Sequence, residues 1–182
     1  MIQPRHKSHP VNPDDVDAIT ERILRILVPL GGHKVLINRN SFSNDNVARL
    51  IGFEEWIDDD DLDFKPAVMR KKLREMHRLA ETGAGAVDAL PPDTLRANMA
   101  RLAALGGLSD TDCRILEFAA MVHNDRALDD CADTLGQLNP LKVVDILSRL
   151  LDLAPESVRA SLSAHGVLAR SGLLALERTR HT

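Results

Sequence analysis

The sequence predicts an all-α fold made mainly of helices. Apolar residues recur at spacings of three and four between turn signals along most of the 182 residues. The chain has four phenylalanines, one tryptophan and no tyrosine, so aliphatic side chains must fill its core, which is typical of helical proteins. We therefore expect about eight helices and only two small β elements, a strand from His33 to Asn38 and a hairpin from Val167 to Leu176.

Composition and charge narrow the class of protein. With 44% hydrophobic and 27% charged residues, the chain has the composition of an ordinary globular protein rather than a disordered one. The net charge of −4 gives no overall positive field that would attract a phosphate backbone. The chain has two cysteines, no apolar signal segment at its N-terminus and no apolar run near the roughly 20 residues that span a bilayer. We expect a cytoplasmic protein without a membrane segment.

Capping signals mark the first helices. Asn12 is a cap residue, and Pro13 follows it at the first helical position. The apolar stripe after them predicts helix one as far as Pro29. After the predicted strand, Ser43, Asn44 and Asp45 supply the cap of a short helix that ends at Gly52. Both helices are therefore predicted from their local start and stop signals.

A block of acidic residues precedes a block of basic residues. Seven acids lie between residues 54 and 63, directly before a helix predicted from Pro66 to about Ala80. These acids favour the N-terminus of that helix, and we expect them to offset its basic side chains. The glycine-containing segment from Glu81 to Ala86, followed by two prolines, predicts a boundary between two subdomains, 1–85 and 90–182.

Four or five closely spaced helices are predicted in the C-terminal subdomain. Ser109 precedes Asp112 at the spacing of a capping box, and Asn139 precedes a proline at the first helical position. Each helix therefore has a local start signal. The predicted helices run from Asp93 to Leu105, Ser109 to Val122, Arg126 to Leu135, Pro140 to Leu151 and Pro155 to Ser163.

The last two of these helices have the apolar spacing of a helix-turn-helix. Ser148 supplies a small side chain where the two helices would cross, although Asp152 occupies a turn position where glycine is usual. Gly166 is expected to end the second helix, and the hairpin after it would form a wing. The region thus predicts a winged-helix-like unit of three helices, with apolar core positions at Leu147, Leu151, Leu153, Val158 and Leu162.

Charge argues against DNA as the main partner of this unit. The outward face of the second helix carries Glu156 and Arg159, whose charges cancel. From Ser109 to Thr182 the chain has 8 basic and 11 acidic residues, a balance of −3. Proteins that read a DNA duplex normally present a basic surface to the phosphates. A winged-helix transcription regulator that binds DNA is therefore the alternative function.

Two surfaces are candidates for contact with a protein partner. The first is the basic face of the helix that begins at Pro66, which lacks the aromatic platforms that single-strand nucleic-acid binders use. The second is the outer face of the last predicted helix. The candidate contact residues of the two surfaces are Arg70, Lys71, Arg74, Arg78, Glu156 and Arg159.

No catalytic, cofactor-binding or metal-binding residues are predicted. The chain lacks a glycine-rich phosphate loop, and its paired glycines are better explained as helix ends. The acidic block cannot form a calcium loop, because Phe64 occupies the position where the sharp turn needs glycine. Cys113 and Cys131 have no second metal ligand close in sequence, and we expect them to pack as small apolar side chains.

A pattern of apolar residues and glycines runs through the C-terminal half. It consists of Asn98-x-x-x-Leu102-Ala103, Gly107-Leu108-Ser109, Ile115-Leu116-x-Phe118-Ala119, Leu135-Gly136, Leu150-Leu151-x-Leu153, Val158-x-x-x-Leu162 and Leu168-x-x-Ser171-Gly172-Leu173-Leu174. This pattern resembles the all-helical region that precedes the ATPase module in a group of bacterial AAA-family ATPases. The resemblance implies an N-terminal domain that recognises a protein partner or substrate and is not itself an enzyme. ATP, magnesium and oligomer formation are implied only for an ATPase module C-terminal to this chain.

Overall fold

The structure, a computed structural model, describes residues 17–59, 62–82 and 91–174. Within these ranges the chain is mostly helical and contains one isolated β-bridge, which confirms the all-α class. None of the described helices combines the length and the apolarity needed to cross a bilayer. The helices are α1 Ala18–Leu27, α2 His33–Leu36, α3 Asp45–Leu50, α4 Glu55–Asp58, α5 Pro66–Thr82, α6 Asp93–Gly106, α7 Asp110–Asn124, α8 Arg126–Asp133, α9 Pro140–Leu151, α10 Pro155–Ser161 and α11 Val167–Arg170.

The chain divides into two compact units that are not continuous in sequence. Among the described residues, the first unit comprises 17–59, 62–82 and 125–136, and the second comprises 91–124 and 137–174. The sequence prediction placed α8 in the C-terminal subdomain, whereas α8 packs against α1 and α3 of the first unit. The predicted linker at 83–86 lies outside the described residues.

The core of the first unit is built around α1. Asp17 caps this helix, because its Oδ1 accepts a hydrogen bond of 2.7 Å from the backbone N–H of Thr20. The predicted start at Asn12 lies outside the described residues. Helix α1 contacts both α5 and α8. The fully buried side chains of this unit include Ile23, Ile26, Leu27, Val47, Met69, Leu73 and Leu128.

The predicted strand from His33 to Asn38 is wrong over most of its length. Its first four residues form α2, and only Ile37 makes a β-bridge, with Phe42. Gly31, at φ +83°, turns the chain sharply after α1, and the backbone N–H of Leu36 then donates to the carbonyl of Gly32 at 3.1 Å. Leu36 and Ile37 are both buried, so the side chains do not alternate as they would in a half-buried strand.

The second unit contains three helices, α7, α9 and α10, that contact one another pairwise, and α6 packs against α7. The predicted capping box of α7 is confirmed. The N–H of Asp112 donates to the hydroxyl of Ser109 at 3.1 Å, and the N–H of Ser109 donates to the carboxylate of Asp112 at 2.9 Å. Asn139 caps α9 as predicted, with its side-chain oxygen 2.9 Å from the N–H of Lys142.

A three-residue turn connects α9 to α10. Asp152, in this turn, has φ +51° and is the single non-glycine residue with a positive φ in the part of the chain that the structure describes. The next N–H, that of Leu153, donates to the carbonyl of Ser148 at 2.9 Å and closes the turn. Val158 of α10 is completely buried. Asp152 thus adopts the left-handed conformation that glycine usually supplies at the end of a helix.

The predicted hairpin is wrong where the structure describes it, over residues 167–174. Val167–Arg170 forms α11 instead of a strand. Gly172, at φ +69°, ends this helix, and the N–H groups of Gly172 and Leu173 donate back to the carbonyls of Ala169 and Leu168. These local hydrogen bonds use the backbone groups that a hairpin would have paired across its strands. The last two residues of the predicted hairpin lie outside the described residues.

Candidate protein-contact surface

Helix α5 separates a buried stripe from an exposed basic face. Met69 and Leu73 are completely buried, and α5 uses this side to pack against α1. Lys71, Arg74 and Arg78 lie on the opposite side and are exposed. We call these three residues the basic strip. They follow one another at spacings of three and four, which places them on one face of the helix, as the sequence predicts.

Two further cations flank the basic strip. Arg70 is half-buried at one side of it, and Lys72 is exposed at the other side. Together with the strip they give α5 five cations against the two carboxylates of Glu75 and Glu81. The helix therefore carries a net charge of +3, five minus two, in a chain whose total charge is −4.

Arg78 is already engaged within the helix. Its Nε and Nη2 donate to the two carboxylate oxygens of Glu75 at 3.1 Å and 2.6 Å. These hydrogen bonds hold the pKa of Glu75 below its usual range and raise the pKa of Arg78. Both side chains are more than half exposed, so water screens the pair and we expect it to exchange readily.

Arg70, Lys71 and Arg74 form no ion pair with any residue in the ranges the structure describes. The sequence predicts that the acidic segment 54–63 offsets the basic helix, and the ion pairs described for this segment are made with residues outside α5. In its described part, Asp58 accepts a hydrogen bond of 2.8 Å from Arg49 of α3. Asp63 lies 3.0 Å from Lys65, just before α5.

A cluster of aromatic residues outside α5 contacts this helix. Lys72 Nζ lies 3.8 Å from the centre of the Trp56 ring, in a cation–π contact between α5 and α4. Trp56 meets Phe53 edge to face at 5.8 Å. Phe53 stacks on Phe42 at 5.3 Å, and Phe42 meets Phe64 at 5.0 Å. Four of the five aromatic residues of the chain therefore form one cluster in the first unit.

Sequence reasoning missed this aromatic contact. The basic helix itself has no aromatic residue, and only the grouping of four aromatic residues between positions 42 and 64 hinted at a cluster. A second missed feature is the exposure of two apolar residues on α5. Val68 is 42% exposed and Leu79 is 37% exposed, and we call these two residues the apolar strip.

The second candidate surface, on α10, is weaker in charge. Glu156 and Arg159 are exposed, as expected, and their neighbours Ser157 and Ala160 are exposed and uncharged. This face offers one acid and one base. It belongs to the second unit, whereas α5 belongs to the first.

The two cysteines lie in environments that suppress their reactivity. Cys131 is completely buried, and burial raises its pKa to about 12. Cys113 is half-buried, and its pKa is raised by burial and then by the nearby acids Glu117, Asp110 and Asp112. The described residues contain no group of three His, Cys, Asp or Glu side chains close enough to hold a metal ion.

Comparisons with protein-family models, with curated proteins and with solved structures return no significant match.

Proposed function

We propose that this chain is a docking module, which recognises a protein partner through α5 and has no catalytic activity of its own. One observation supports this function most directly. Arg70, Lys71 and Arg74 lie along one helix and form no ion pair with a described residue. Lys71 alone has a carboxylate near it, that of Glu75, whose pKa it helps to lower. Charges arranged in this way steer the encounter with a complementary partner and exclude wrong ones.

The proposal extends to the context of the chain. The resemblance of residues 98–174 to the helical region of bacterial AAA-family ATPases supports an N-terminal recognition domain, which would act beside an ATPase ring. The reading frame tests this part: it should continue past Thr182 into a strand that carries Gly-x-x-x-x-Gly-Lys-Ser/Thr. A frame without that motif would contradict the link to an ATPase and leave the docking function standing.

The second unit supports a helix-turn-helix as a further part of the proposal, with α11 where the sequence predicts the start of a wing. The mutual contacts of α7, α9 and α10, together with the left-handed turn at Asp152, suit a helix-turn-helix. A helix-turn-helix would also suit the alternative function, in which α10 binds DNA in a sequence-specific way. The charged residues on the exposed face of α10 are Glu156 and Arg159, whose charges cancel. We therefore expect the chain to bind duplex DNA with a dissociation constant no lower than about 10⁻⁵ M at physiological salt.

The docking function is tested by quantitative affinity capture with matched variants. In the test variant Arg70, Lys71 and Arg74 are all replaced by glutamate, and in the control variant only Arg159 is replaced by glutamate. A partner that is retained by the native chain and by the control, but lost from the test variant, supports docking through α5. Its association rate with the native chain should fall as salt is added, because salt screens steering charges.

Three results would contradict this function. Capture that is identical for the test variant and the native chain would exclude α5 as the docking surface. Hydrolysis of ATP by the purified 182-residue chain would show that it is an enzyme. A DNA site selected at nanomolar affinity, and lost on Arg159→Ala, would establish the alternative function.

A further inference from the structure

The basic strip and the apolar strip run side by side along α5. Val68 and Leu79 are eleven residues apart, which is three helical turns, so they lie on the same side of the helix at a separation of about 16 Å. At about 100° per residue, this side lies next to the one that carries Lys71 and Arg78. A partner seated on α5 would therefore meet an apolar line and a cationic line together.

The contact between Lys72 and Trp56 extends the apolar strip. Lys72 follows Val68 by one turn and precedes Leu79 by two, so it lies on the same side of the helix. Its ammonium group sits over the half-buried ring of Trp56. The side of α5 that carries the apolar strip is therefore continuous with an aromatic ring from α4.

We infer that the partner segment recognised by α5 is an acidic amphipathic helix, an inference that rests on the proposed docking function. Its carboxylates would pair with the basic strip and Arg70, and its apolar side chains would cover Val68 and Leu79. Two parallel lines of contact over about 16 Å suit a helix, which repeats its apolar and charged positions with the same period as α5. Charge complementarity favours an acidic partner, because α5 has five cations and two carboxylates. Of the five cations, only Arg78 forms an ion pair with a described residue.

A nucleic acid fits this side of α5 less well. It would use the cations and could stack a base on Trp56, but it would leave Val68 and Leu79 exposed to water. Covering two partly exposed aliphatic side chains is favourable only with an apolar partner surface. The apolar strip is thus the feature that favours a protein segment over a polyanion.

The test uses designed peptides of about 18 residues, long enough to span about 27 Å as a helix. The first peptide places leucines on one face and glutamates beside them. A second replaces every glutamate by lysine, and a third has the composition of the first with its order scrambled. Binding is followed through the fluorescence of Trp56, the one tryptophan of the chain, and through backbone amide chemical shifts.

Two variants separate the contributions of the two strips. Replacing Arg70, Lys71 and Arg74 by glutamate should weaken binding of the first peptide by about tenfold or more, as the loss of several complementary charges does. Replacing Val68 and Leu79 by serine should weaken it while leaving its salt dependence unchanged. Both positions are more than a third exposed, so circular dichroism should show an intact fold. Arg159→Glu serves as the control and should change nothing.

The outcomes distinguish this inference from the proposed function. The inference is supported if only the first peptide binds and if the amide shifts centre on α5. Equal binding of the lysine peptide or of the scrambled peptide overturns it, as does tighter binding of an oligothymidylate of the same length. If the peptides fail to bind α5 but affinity capture still depends on Arg70, Lys71 and Arg74, then docking stands and the acidic helix is the wrong partner class.

Discussion

The side chain of Asn44 donates from its Nδ2 to the carboxylate of Asp130 at 2.9 Å, across 86 positions of sequence. Its Oδ1 simultaneously accepts the N–H of Val47 at 3.0 Å and so caps α3. One amide group therefore fixes the start of α3 and ties it to α8. The residue after Asp130 contacts α1 instead, because the buried Sγ of Cys131 lies 3.9 Å from the carbonyl oxygen of Ile23.

Replacing Asn44 should separate its two roles. Asn44→Ser keeps an oxygen that can cap α3 but loses the bond to Asp130, whereas Asn44→Ala loses both. We expect the free energy of unfolding of Asn44→Ala to lie about 1 kcal/mol below that of Asn44→Ser, which is the usual value of a cap. Urea denaturation monitored by the fluorescence of Trp56 measures this difference in the free energy of unfolding of the first unit. Equal stabilities would mean that the cap contributes nothing.

Local signals in the sequence were sufficient for the starts of α3, α7 and α9. The caps at Asn44, Ser109 and Asn139 are confirmed because each uses hydrogen bonds to groups only three residues away. The same kind of signal gave a wrong prediction at Gly172, where a hairpin was expected and the structure has the end of a helix. A glycine with positive φ ends a helix as readily as it turns a hairpin, and the flanking apolar residues suit either.

Contacts between distant elements could not be predicted. Leu128 and Cys131 give α8 an apolar stripe, but a stripe does not say which unit will bury it. For the same reason, the spacing of residues within α4 or α5 could not predict that Lys72 lies over the ring of Trp56. The candidate contact residues were found from charge alone, and the apolar strip beside them was missed.

Val158 tests the packing of the second unit. Val158→Asp would place a carboxylate at a completely buried position, and we expect it to lower the free energy of unfolding of this unit by several kcal/mol, on the order of 3 or more. Arg159→Asp is the matched control, since its site is the exposed neighbour on the same helix. Thermal unfolding followed by circular dichroism compares the two. An unchanged melting temperature in Val158→Asp would refute the assignment of α10 to a packed core.

The left-handed turn at Asp152 gives a second test of that unit. A side chain with a β-carbon is strained at φ +51°, whereas glycine is not. We expect Asp152→Gly to be more stable to urea than Asp152→Ala by about 1 kcal/mol. Comparing these two variants with each other cancels whatever the aspartate side chain itself contributes. If alanine were the more stable of the two, the turn would have to be right-handed in solution.

The two cysteines should differ in their rates of alkylation. With a pKa of about 12, Cys131 is present as thiolate in only about one molecule in ten thousand at pH 8, and it is also fully buried. Cys113 is half-buried. Iodoacetamide followed by mass spectrometry should modify Cys113 first and Cys131 only after urea is added. Equal rates in the native protein would show that α8 opens away from α1 and α3.

Asp112 should make the stability of the second unit sensitive to acid. Burial favours the neutral acid, but hydrogen bonds from the Ser109 backbone, the Ser161 hydroxyl and the Ser109 hydroxyl outweigh it and lower the pKa of Asp112. Folding therefore favours the carboxylate. Its contribution is fully present above the ordinary aspartate pKa of about 3.9 and is lost as the pH falls through the lower pKa of the folded state.

Asp112→Asn removes this titration. At pH 7 we expect it to lower the free energy of unfolding by about 1–3 kcal/mol, since a buried carboxylate that accepts several hydrogen bonds is replaced by an amide. The difference from the native chain should shrink as the pH approaches the acid end, where Asp112 is protonated. Exposed acids with lowered pKa values, such as Asp58, are common to both proteins and cancel. Urea titrations at a series of pH values measure the difference, and one that stays constant down to acid pH would mean that Asp112 does not couple its charge to folding.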